Sequence, residues 1–283
     1  MTGGSGETTW SMIGRRPTVW AKVPGLSFFY AFLEKEGAGL EEHRGWIHSV
    51  ESMGLVDGPG IRAVVFLQGC RLRCRFCHNP DTWSQQGGEE MTPRQLVEKL
   101  RRFRPYFSRS GGGVTFSGGE PLMQPDFLRE CLRLCRQEGI HTCLDTAGCG
   151  LGQYEDILAL TDLVLYDVKE ITPHRYRDLT GQDWEETGRF LQALRRTRVP
   201  VWVRHVVVPG RNDSEDHMRA LRDFIRQQVP NVEKVELLPY HRLGENKYAL
   251  LGIPYPLSGV PPMDKQRAEQ LQEQFFGQWE IGG

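Results

Sequence analysis

The 283-residue sequence lacks any run of eighteen apolar residues, so it contains no candidate for a membrane-spanning helix. It also lacks an excess of charge of either sign, because 35 lysines and arginines balance 36 aspartates and glutamates to a formal net charge of −1. No global positive field would therefore attract nucleic acid or an anionic membrane surface. These absences predict a protein whose partners include neither nucleic acid nor a membrane.

An export signal and a disulfide framework are missing as well. The nearest match to an export signal is Arg15-Arg16 ahead of an eight-residue apolar run at 26–33. Charged residues end this run, and no small-residue cleavage site follows it. The seven cysteines are an odd number, and three of them lie in one short loop, which favours a reducing compartment over a secreted scaffold. We therefore expect a cytoplasmic protein.

The short loop contains Cys70, Cys74 and Cys77, spaced by three and then two residues. Thiolates are soft ligands that suit zinc, copper(I) or iron–sulfur clusters. Structural zinc sites usually have four protein ligands, and no fourth cysteine of matching spacing lies nearby. Three thiolates within eight residues can hold three corners of a cubane [4Fe–4S] cluster and leave its fourth iron open. A zinc knuckle and a chance grouping of thiols are the alternatives.

The loop and its flanks resemble a known family. CxxxCxxC with an aromatic residue, Phe76, before the last cysteine is similar to the motif of radical S-adenosylmethionine (SAM) enzymes. The flanking segments VDGPGIR at 56–62 and CHNPDTW at 77–83 resemble the activating enzymes of glycyl-radical enzymes, of the pyruvate formate-lyase type. The likeness extends from about Arg44 to near the C-terminus.

The resemblance implies a chemistry for this loop. The three cysteines would hold a [4Fe–4S] cluster, and SAM would bind the open iron through its amino and carboxylate groups. Reductive cleavage would then produce methionine and a 5′-deoxyadenosyl radical. The implied partners are a glycyl-radical enzyme of the pyruvate formate-lyase type, which loses a hydrogen atom from a backbone glycine, and a flavodoxin-type electron donor.

The resemblance also implies a set of residues that contact SAM. They are Phe76, Cys77, His78, Gly118, Gly119, Glu120, Asp167, Val168, Lys169, Arg204 and His241. Glycine suits such contacts because the missing Cβ lets the backbone approach a ligand closely. Arg204 would face either the SAM carboxylate or the incoming substrate loop. Without the resemblance, these residues would be interpreted as a strand-to-helix turn, a surface ion pair and a loop histidine.

An oxygen-rich group, Asp145, Thr146 and Asp167, resembles the site where the family holds a monovalent cation beside the SAM carboxylate. A hard cation takes oxygen ligands, and two neighbouring carboxylates are costly without a positive charge between them. The family commonly has asparagine where Ala147 stands, which weakens the likeness of this loop. The alternative for Asp145 is a strand-end aspartate that caps a following helix.

The apolar pattern predicts six strands that alternate with helices. We expect strands at 63–67, 112–116, 141–145, 163–167, 201–208 and 235–238, and helices around 92–103, 127–135, 190–194, 215–225 and 263–276. This alternation predicts an α/β fold with a parallel sheet. It does not separate an open doubly wound sheet from a curled one, but the resemblance implies a partial (β/α)6 TIM-type barrel. The candidate site residues follow the strands, at the edge where such folds bind ligands.

The remaining features concern organisation and the other cysteines. Residues 1–44 differ in composition and are expected to form a flexible N-terminal extension, an upstream start or a docking element, ahead of a catalytic domain at 45–283. Cys131 and Cys135 share an apolar helix face and predict burial rather than a second cluster, whereas Cys149 is expected in an exposed loop.

Two other functions stay open. One is another radical SAM enzyme, such as the activase of anaerobic ribonucleotide reductase or an enzyme with a small-molecule substrate. The other is a non-catalytic Fe–S protein that only carries electrons.

Overall fold

The computed structural model describes Met1 and residues 43–279. The predicted extension at 1–44 lies almost wholly outside the described residues, so its boundary and its flexibility stay predictions. Among the helices described, none combines the length and the apolar character that crossing a membrane requires.

An eight-stranded sheet forms the centre of the described domain. Its strands are β1 Gly45–Gly54, β2 Arg62–Leu67, β3 Glu89–Met91, β4 Gly113–Gly118, β5 His141–Thr146, β6 Leu163–Asp167, β7 Val201–Val207 and β8 Val232–Pro239. They lie in the order β3-β1-β2-β4-β5-β6-β7-β8. The strands from β2 through β4 to β8 run parallel, whereas β1 pairs antiparallel with β2 and β3.

All six predicted strands are therefore confirmed, together with the α/β class. The sequence analysis missed β1 and β3. Only two of the ten residues of β1 are buried, so its sequence has no continuous apolar run. β3 has only three residues, which is too few for a periodic pattern.

Nine α-helices accompany the sheet in the described residues. They are α1 Pro93–Arg101, α2 Arg104–Ser110, α3 Pro125–Gln137, α4 Tyr154–Leu158, α5 Pro173–Thr180, α6 Glu185–Arg195, α7 Glu215–Gln228, α8 Glu245–Leu250 and α9 Lys265–Phe276. The five predicted helices are confirmed. The other four, α2, α4, α5 and α8, have five to eight residues each, which is too short for a clear apolar stripe.

The start of α1 shows how the sequence sets a helix boundary. The Thr92 hydroxyl accepts a hydrogen bond from the Gln95 N–H at 3.2 Å, and the Gln95 side-chain oxygen accepts one from the Thr92 N–H at 2.9 Å. This capping box satisfies backbone donors that the first turn leaves free, and Pro93 at the first helical position has no N–H to satisfy. The helix ends at Arg101, and Phe103 is the N-cap of α2 rather than part of the α1 stripe.

Cys131 and Cys135 lie fully buried on α3, in the hydrophobic core. Burial raises the pKa of the Cys135 thiol to about 12, and it raises the pKa of Cys131 well above its ordinary value. Both thiols are therefore neutral packing residues. The prediction of simple burial is confirmed.

The VDGPGIR segment is held from inside the fold by Arg62, which has no exposed surface. Its guanidinium donates to the Thr115 hydroxyl and to the Val114 carbonyl, both at 2.6 Å, and to the Pro59 carbonyl at 3.1 Å. The Thr115 hydroxyl in turn donates to the Asp57 carbonyl at 2.6 Å. A buried cation needs such acceptors, so this arginine ties the segment to β4.

Candidate active site

The cysteine loop follows β2 and is fastened to the end of α5. The N–H groups of Arg73 and Arg75 donate to the carbonyls of Thr180 and Leu179, at 2.7 and 3.0 Å. Those carbonyls belong to the last turn of α5, where a helix leaves its acceptors without partners. The loop and the helix therefore satisfy each other's backbone groups, and the loop has a defined path.

A cavity of about 260 Å³ lies at the carboxyl ends of the parallel strands. Its lining includes most of the predicted site residues: Cys70, Cys74, Phe76, Cys77, His78, Gly118, Gly119, Glu120, Asp145, Thr146, Asp167, Lys169 and Arg204. These residues come from the cysteine loop and from the ends of β4, β5, β6 and β7. This placement agrees with the expectation that the candidate site residues meet at one edge of the sheet.

Without a bound cation, the three thiols at this cavity favour their neutral, protonated form over the thiolate. Burial raises the pKa of Cys74 to about 12, with Lys169 opposing, and burial also raises the pKa values of Cys70 and Cys77. Neighbouring thiols raise the pKa values of Cys70 and Cys74 further. A bound cation would relieve this cost, so three soft donors at one cavity fit an iron–sulfur cluster, in which each thiolate binds a different iron. In the described residues, no three His, Cys, Asp or Glu side chains are grouped as ligands of a single metal ion.

The Gly118-Gly119 turn brings β4 against β2 and the cysteine loop. Gly118 has φ +110°, and an added Cβ would lie 2.3 Å from the Leu67 nitrogen. A Cβ on Gly119 would lie 2.4 Å from the Gly69 carbonyl oxygen. We expected these glycines to admit a ligand, and they do line the cavity, but the missing Cβ atoms are already needed for backbone packing.

Glu120 joins this turn to the loop after β5. Its buried carboxylate accepts hydrogen bonds from the Thr146 hydroxyl at 2.5 Å, the Ala147 N–H at 2.9 Å and the Leu122 N–H at 3.2 Å. Burial raises the pKa of Glu120 to about 7, and the three donors oppose that rise. Glu120 and Thr146 therefore use their side chains to hold two cavity walls together.

Charged side chains at the ends of β5 and β6 form another wall of the cavity. The Lys169 ammonium donates to Asp167 at 2.6 Å and lies 5.6 Å from the centre of the Phe76 ring. Burial alone would lower the pKa of Lys169, but the charges of Asp167 and Cys74 raise it above its ordinary value. Asp145 accepts from the Ser117 hydroxyl at 2.6 Å.

Arg204 bridges this wall to the VDGPGIR segment. Its guanidinium lies 3.9 Å from Asp145 and 3.4 Å from Glu236, and it donates to the Val56 carbonyl. Asp145 and Asp167 thus already have cationic partners in Arg204 and Lys169. The monovalent cation at Asp145, Thr146 and Asp167 stays a prediction.

Two of the predicted residues, Val168 and His241, do not line the cavity. Val168 is buried behind it, whereas His241 is exposed at the rim and stacks on His78 with ring centroids 4.1 Å apart. Lys247 of α8 donates to Asn79 at 2.9 Å and to Asp81 at 3.0 Å. The segment after β8 therefore covers the CHNPDTW segment from outside.

The sequence analysis missed a buried polar group behind Val168, formed by His205, Asn212 and His217. No motif connects these residues, because His205 lies within β7, Asn212 in the turn that follows and His217 in the first turn of α7. The expectation for Cys149 was wrong, since its thiol is buried beside Tyr176 and its pKa is raised by burial to about 12.

The two buried histidines predict a loss of stability in acid. Burial lowers the pKa of His205 to about 4 and that of His217 to about 3, from an ordinary value of 6.5. Below about pH 6.5 the unfolded chain binds protons that the folded chain does not, so the free energy of unfolding should fall as the pH drops towards about 4. Anaerobic urea unfolding at about pH 7 and about pH 5 measures this fall, and His217→Phe should lose less stability than the unchanged protein. An equally steep fall in both proteins would contradict the assignment.

Comparison with known proteins gives a consistent result. Residues 64–221 match the model of the radical SAM superfamily. The chain is 56% identical over 229 residues to the pyruvate formate-lyase-activating enzyme of Clostridium pasteurianum, covering 81% of this chain and 96% of that protein. It is 45% identical over 232 residues to the pyruvate formate-lyase 1-activating enzyme of Escherichia coli K12, covering 81% and 94%.

A solved radical SAM methyltransferase from Sphaerobacter thermophilus has a similar fold, with a TM-score of 0.55 and 19% identity over 83% of this chain and 75% of that one. The matched residues include the cysteine loop and the ends of β4 to β7, where the cavity lies. The chain therefore belongs to the radical SAM superfamily and, within it, to the family of pyruvate formate-lyase-activating enzymes.

Proposed function

We propose that this protein activates a pyruvate formate-lyase by removing a hydrogen atom from a backbone glycine of that enzyme. The observation that carries the proposal is the convergence of three cysteines, the Gly118-Gly119 turn and the Asp167–Lys169 pair on one cavity. Membership of the radical SAM family implies a [4Fe–4S] cluster and SAM. When bound, these two groups supply a one-electron reductive cleavage and the hydrogen-abstracting species that activation requires.

Different residues of the cavity would bind the cluster and the parts of SAM. Cys70, Cys74 and Cys77 would hold the cluster, with their thiols as thiolates. Lys169 offers a positive charge for a carboxylate of SAM, and Asp167 offers an acceptor for ribose hydroxyls. Both side chains are only partly exposed, Lys169 at 14% and Asp167 at 23%, which reduces the screening of these contacts by water.

The protein substrate needs a route to the cavity, and a second depression offers one. Phe76 lines both the cavity and a neighbouring depression of about 650 Å³. Apolar and small residues of 208–210 and 256–257 form part of its wall, and Arg175 and Arg211 lie there as well. An extended peptide that carries the target glycine could lie along this depression with the glycine near Phe76.

Electron paramagnetic resonance (EPR) tests the function directly. After anaerobic incubation of pyruvate formate-lyase with this protein, SAM and a reductant, a carbon-centred doublet from glycine should appear on the partner. SAM cleavage without that signal would indicate a different substrate, and absence of SAM cleavage would indicate a protein that only carries electrons. Comparing a reduced flavodoxin with a chemical reductant tests the proposed donor, and titrating monovalent cations tests the proposed cation site.

Arg211→Ala should separate partner binding from SAM chemistry. Arg211 is 31% exposed and its guanidinium pairs with Asp178 at 2.6 Å, outside the SAM cavity. We expect partner-independent SAM cleavage to stay unchanged and the KM for pyruvate formate-lyase to rise by roughly 5-fold, as for the loss of one charged contact. Arg222→Ala is the matched control, because Arg222 of α7 is 30% exposed and likewise pairs with an aspartate, Asp223. Equal KM values for both variants would refute this route.

A further inference from the structure

His205 lies on β7 directly behind the segment 167–169. Its side chain is buried, and its Nδ1 lies 2.7 Å from the Val168 carbonyl oxygen. The Val168 N–H donates to the Arg204 carbonyl at 2.9 Å. The pairing of β6 with β7 ends at Asp167 and Arg204. Beyond that pair, the imidazole of His205 takes the place of a backbone N–H of β7 as the partner of the Val168 carbonyl. Both backbone polar groups of Val168 are therefore held by β7.

The contacts of His205 determine which ring nitrogen carries the proton. A carbonyl only accepts, so Nδ1 must be protonated and Nε2 must be the acceptor. The Asn212 side-chain nitrogen lies 2.9 Å from Nε2. The orientation of this amide is set independently, because its oxygen accepts from the Val208 N–H at 2.6 Å and its nitrogen donates to the Val206 carbonyl at 2.8 Å. Asn212 therefore selects the tautomer that Val168 requires.

We propose that His205 is a positioning residue for SAM binding, which acts through the Val168 carbonyl and is kept in the required tautomer by Asn212. Asp167 and Lys169 flank Val168 and both line the cavity, so a rotation of the backbone at Val168 would displace both side chains. The inference rests on the proposed function because it assumes that SAM occupies this cavity. Burial supports it by lowering the pKa of His205, which keeps the ring neutral near pH 7.

Two substitutions at position 205 separate the hydrogen bond from packing. His205→Phe keeps a ring but removes both nitrogens, whereas His205→Asn places an amide nitrogen near the position of Nδ1 and fills less space. The hydrogen bond predicts that His205→Phe weakens SAM binding about tenfold and that His205→Asn recovers most of it. A role in packing alone predicts the opposite order. The measurements are the dissociation constant of SAM with the anaerobically reconstituted protein and the change that SAM causes in the EPR spectrum of the reduced cluster.

His217→Phe is the matched control. This ring stacks on His205 with centroids 5.3 Å apart, and its Nε2 lies 3.3 Å from Nε2 of His205. Asn212 lies closer to that nitrogen, at 2.9 Å, and His217 makes no contact with Val168, so the affinity for SAM should change far less than in His205→Phe. Asn212→Asp is the complementary variant. Its carboxylate can only accept from Nε2, so a ring that stays neutral would lose the proton from Nδ1 and with it the Val168 contact, and SAM affinity should fall even though the His205 ring is still present.

A further measurement covers the case in which a variant fails to fold. In the unchanged protein labelled with ¹⁵N-histidine, NMR should show His205 protonated at Nδ1 and not at Nε2. A proton on Nε2, or unchanged SAM affinity in His205→Phe, would overturn the inference and leave the proposed function standing. Normal SAM binding without a glycyl radical on pyruvate formate-lyase would refute the proposed function and leave the inference standing.

Discussion

Cys74→Ala should yield a protein that neither retains a [4Fe–4S] cluster nor cleaves SAM. Cys74 lies between the other two thiols of the loop, and its side chain faces the same cavity. Two remaining thiolates would leave two irons open instead of one. Because loss of a residue that only supports a metal ligand costs about 10- to 100-fold, loss of a ligand should reduce 5′-deoxyadenosine formation by more than about 100-fold. Iron and sulfide content after anaerobic reconstitution gives the second measurement.

Cys131→Ala provides the matched control for this loss. Its thiol is also fully buried and its pKa is also raised by burial, but it packs on α3 and does not line the cavity. The variant should keep its cluster and its SAM cleavage, with a loss of about 1 kcal/mol in the free energy of unfolding from packing. A Cys74→Ala protein that keeps a complete cluster would refute the assignment of the loop.

Gly118→Ala should damage both stability and the cysteine loop. At φ +110° an L-residue is strained, and its Cβ would lie 2.3 Å from the nitrogen and 2.6 Å from the oxygen of Leu67. These are backbone atoms of β2, which leads directly into the cysteine loop, so the strand end must move. We expect a loss of about 4 kcal/mol in the free energy of unfolding, together with poor cluster retention.

Gly152→Ala tests whether the clash or the backbone conformation causes the damage. Gly152 has φ +92°, and an added Cβ would meet nothing within 4 Å. Only the conformational cost applies, so the loss should be about 1 kcal/mol and the cluster should be unaffected. Similar losses in both variants would mean that the close approach of β4 to β2 is unimportant.

Much of the fold follows from local patterns. Short, continuous apolar runs marked the parallel strands because both faces of such strands are covered, and β4 and β6 have nearly no exposed residues. The capping box at Thr92 set the start of α1 for an equally local reason. β1 escaped detection because an antiparallel strand with one half-exposed face has no continuous apolar run. The four short helices are too short to be stable alone, so they depend on packing against the rest of the domain. A segment of five to eight residues carries no sequence pattern that shows this packing.

The site was predictable where its chemistry is contiguous in the chain. Cys70, Cys74 and Cys77 lie within eight residues of the chain, so their spacing is visible in the sequence. The residues that hold the walls of this site together are far apart in the sequence. Glu120 meets Thr146 across 26 residues, and Arg204 meets Val56 across 148. No single sequence marks such pairs, because each member alone resembles an ordinary polar residue.

The sequence by itself determined the kind of chemistry: a soft, three-thiolate loop in an α/β chain whose charged residues follow its strands. The tertiary structure decided which of those residues share a cavity, which of them, such as Val168, lie buried behind it, and how closely the backbone of β2 approaches Gly118. The physical reason is that ligand type and strand pattern are properties of neighbouring residues. Burial, tautomer and close backbone approach arise only when distant segments pack together.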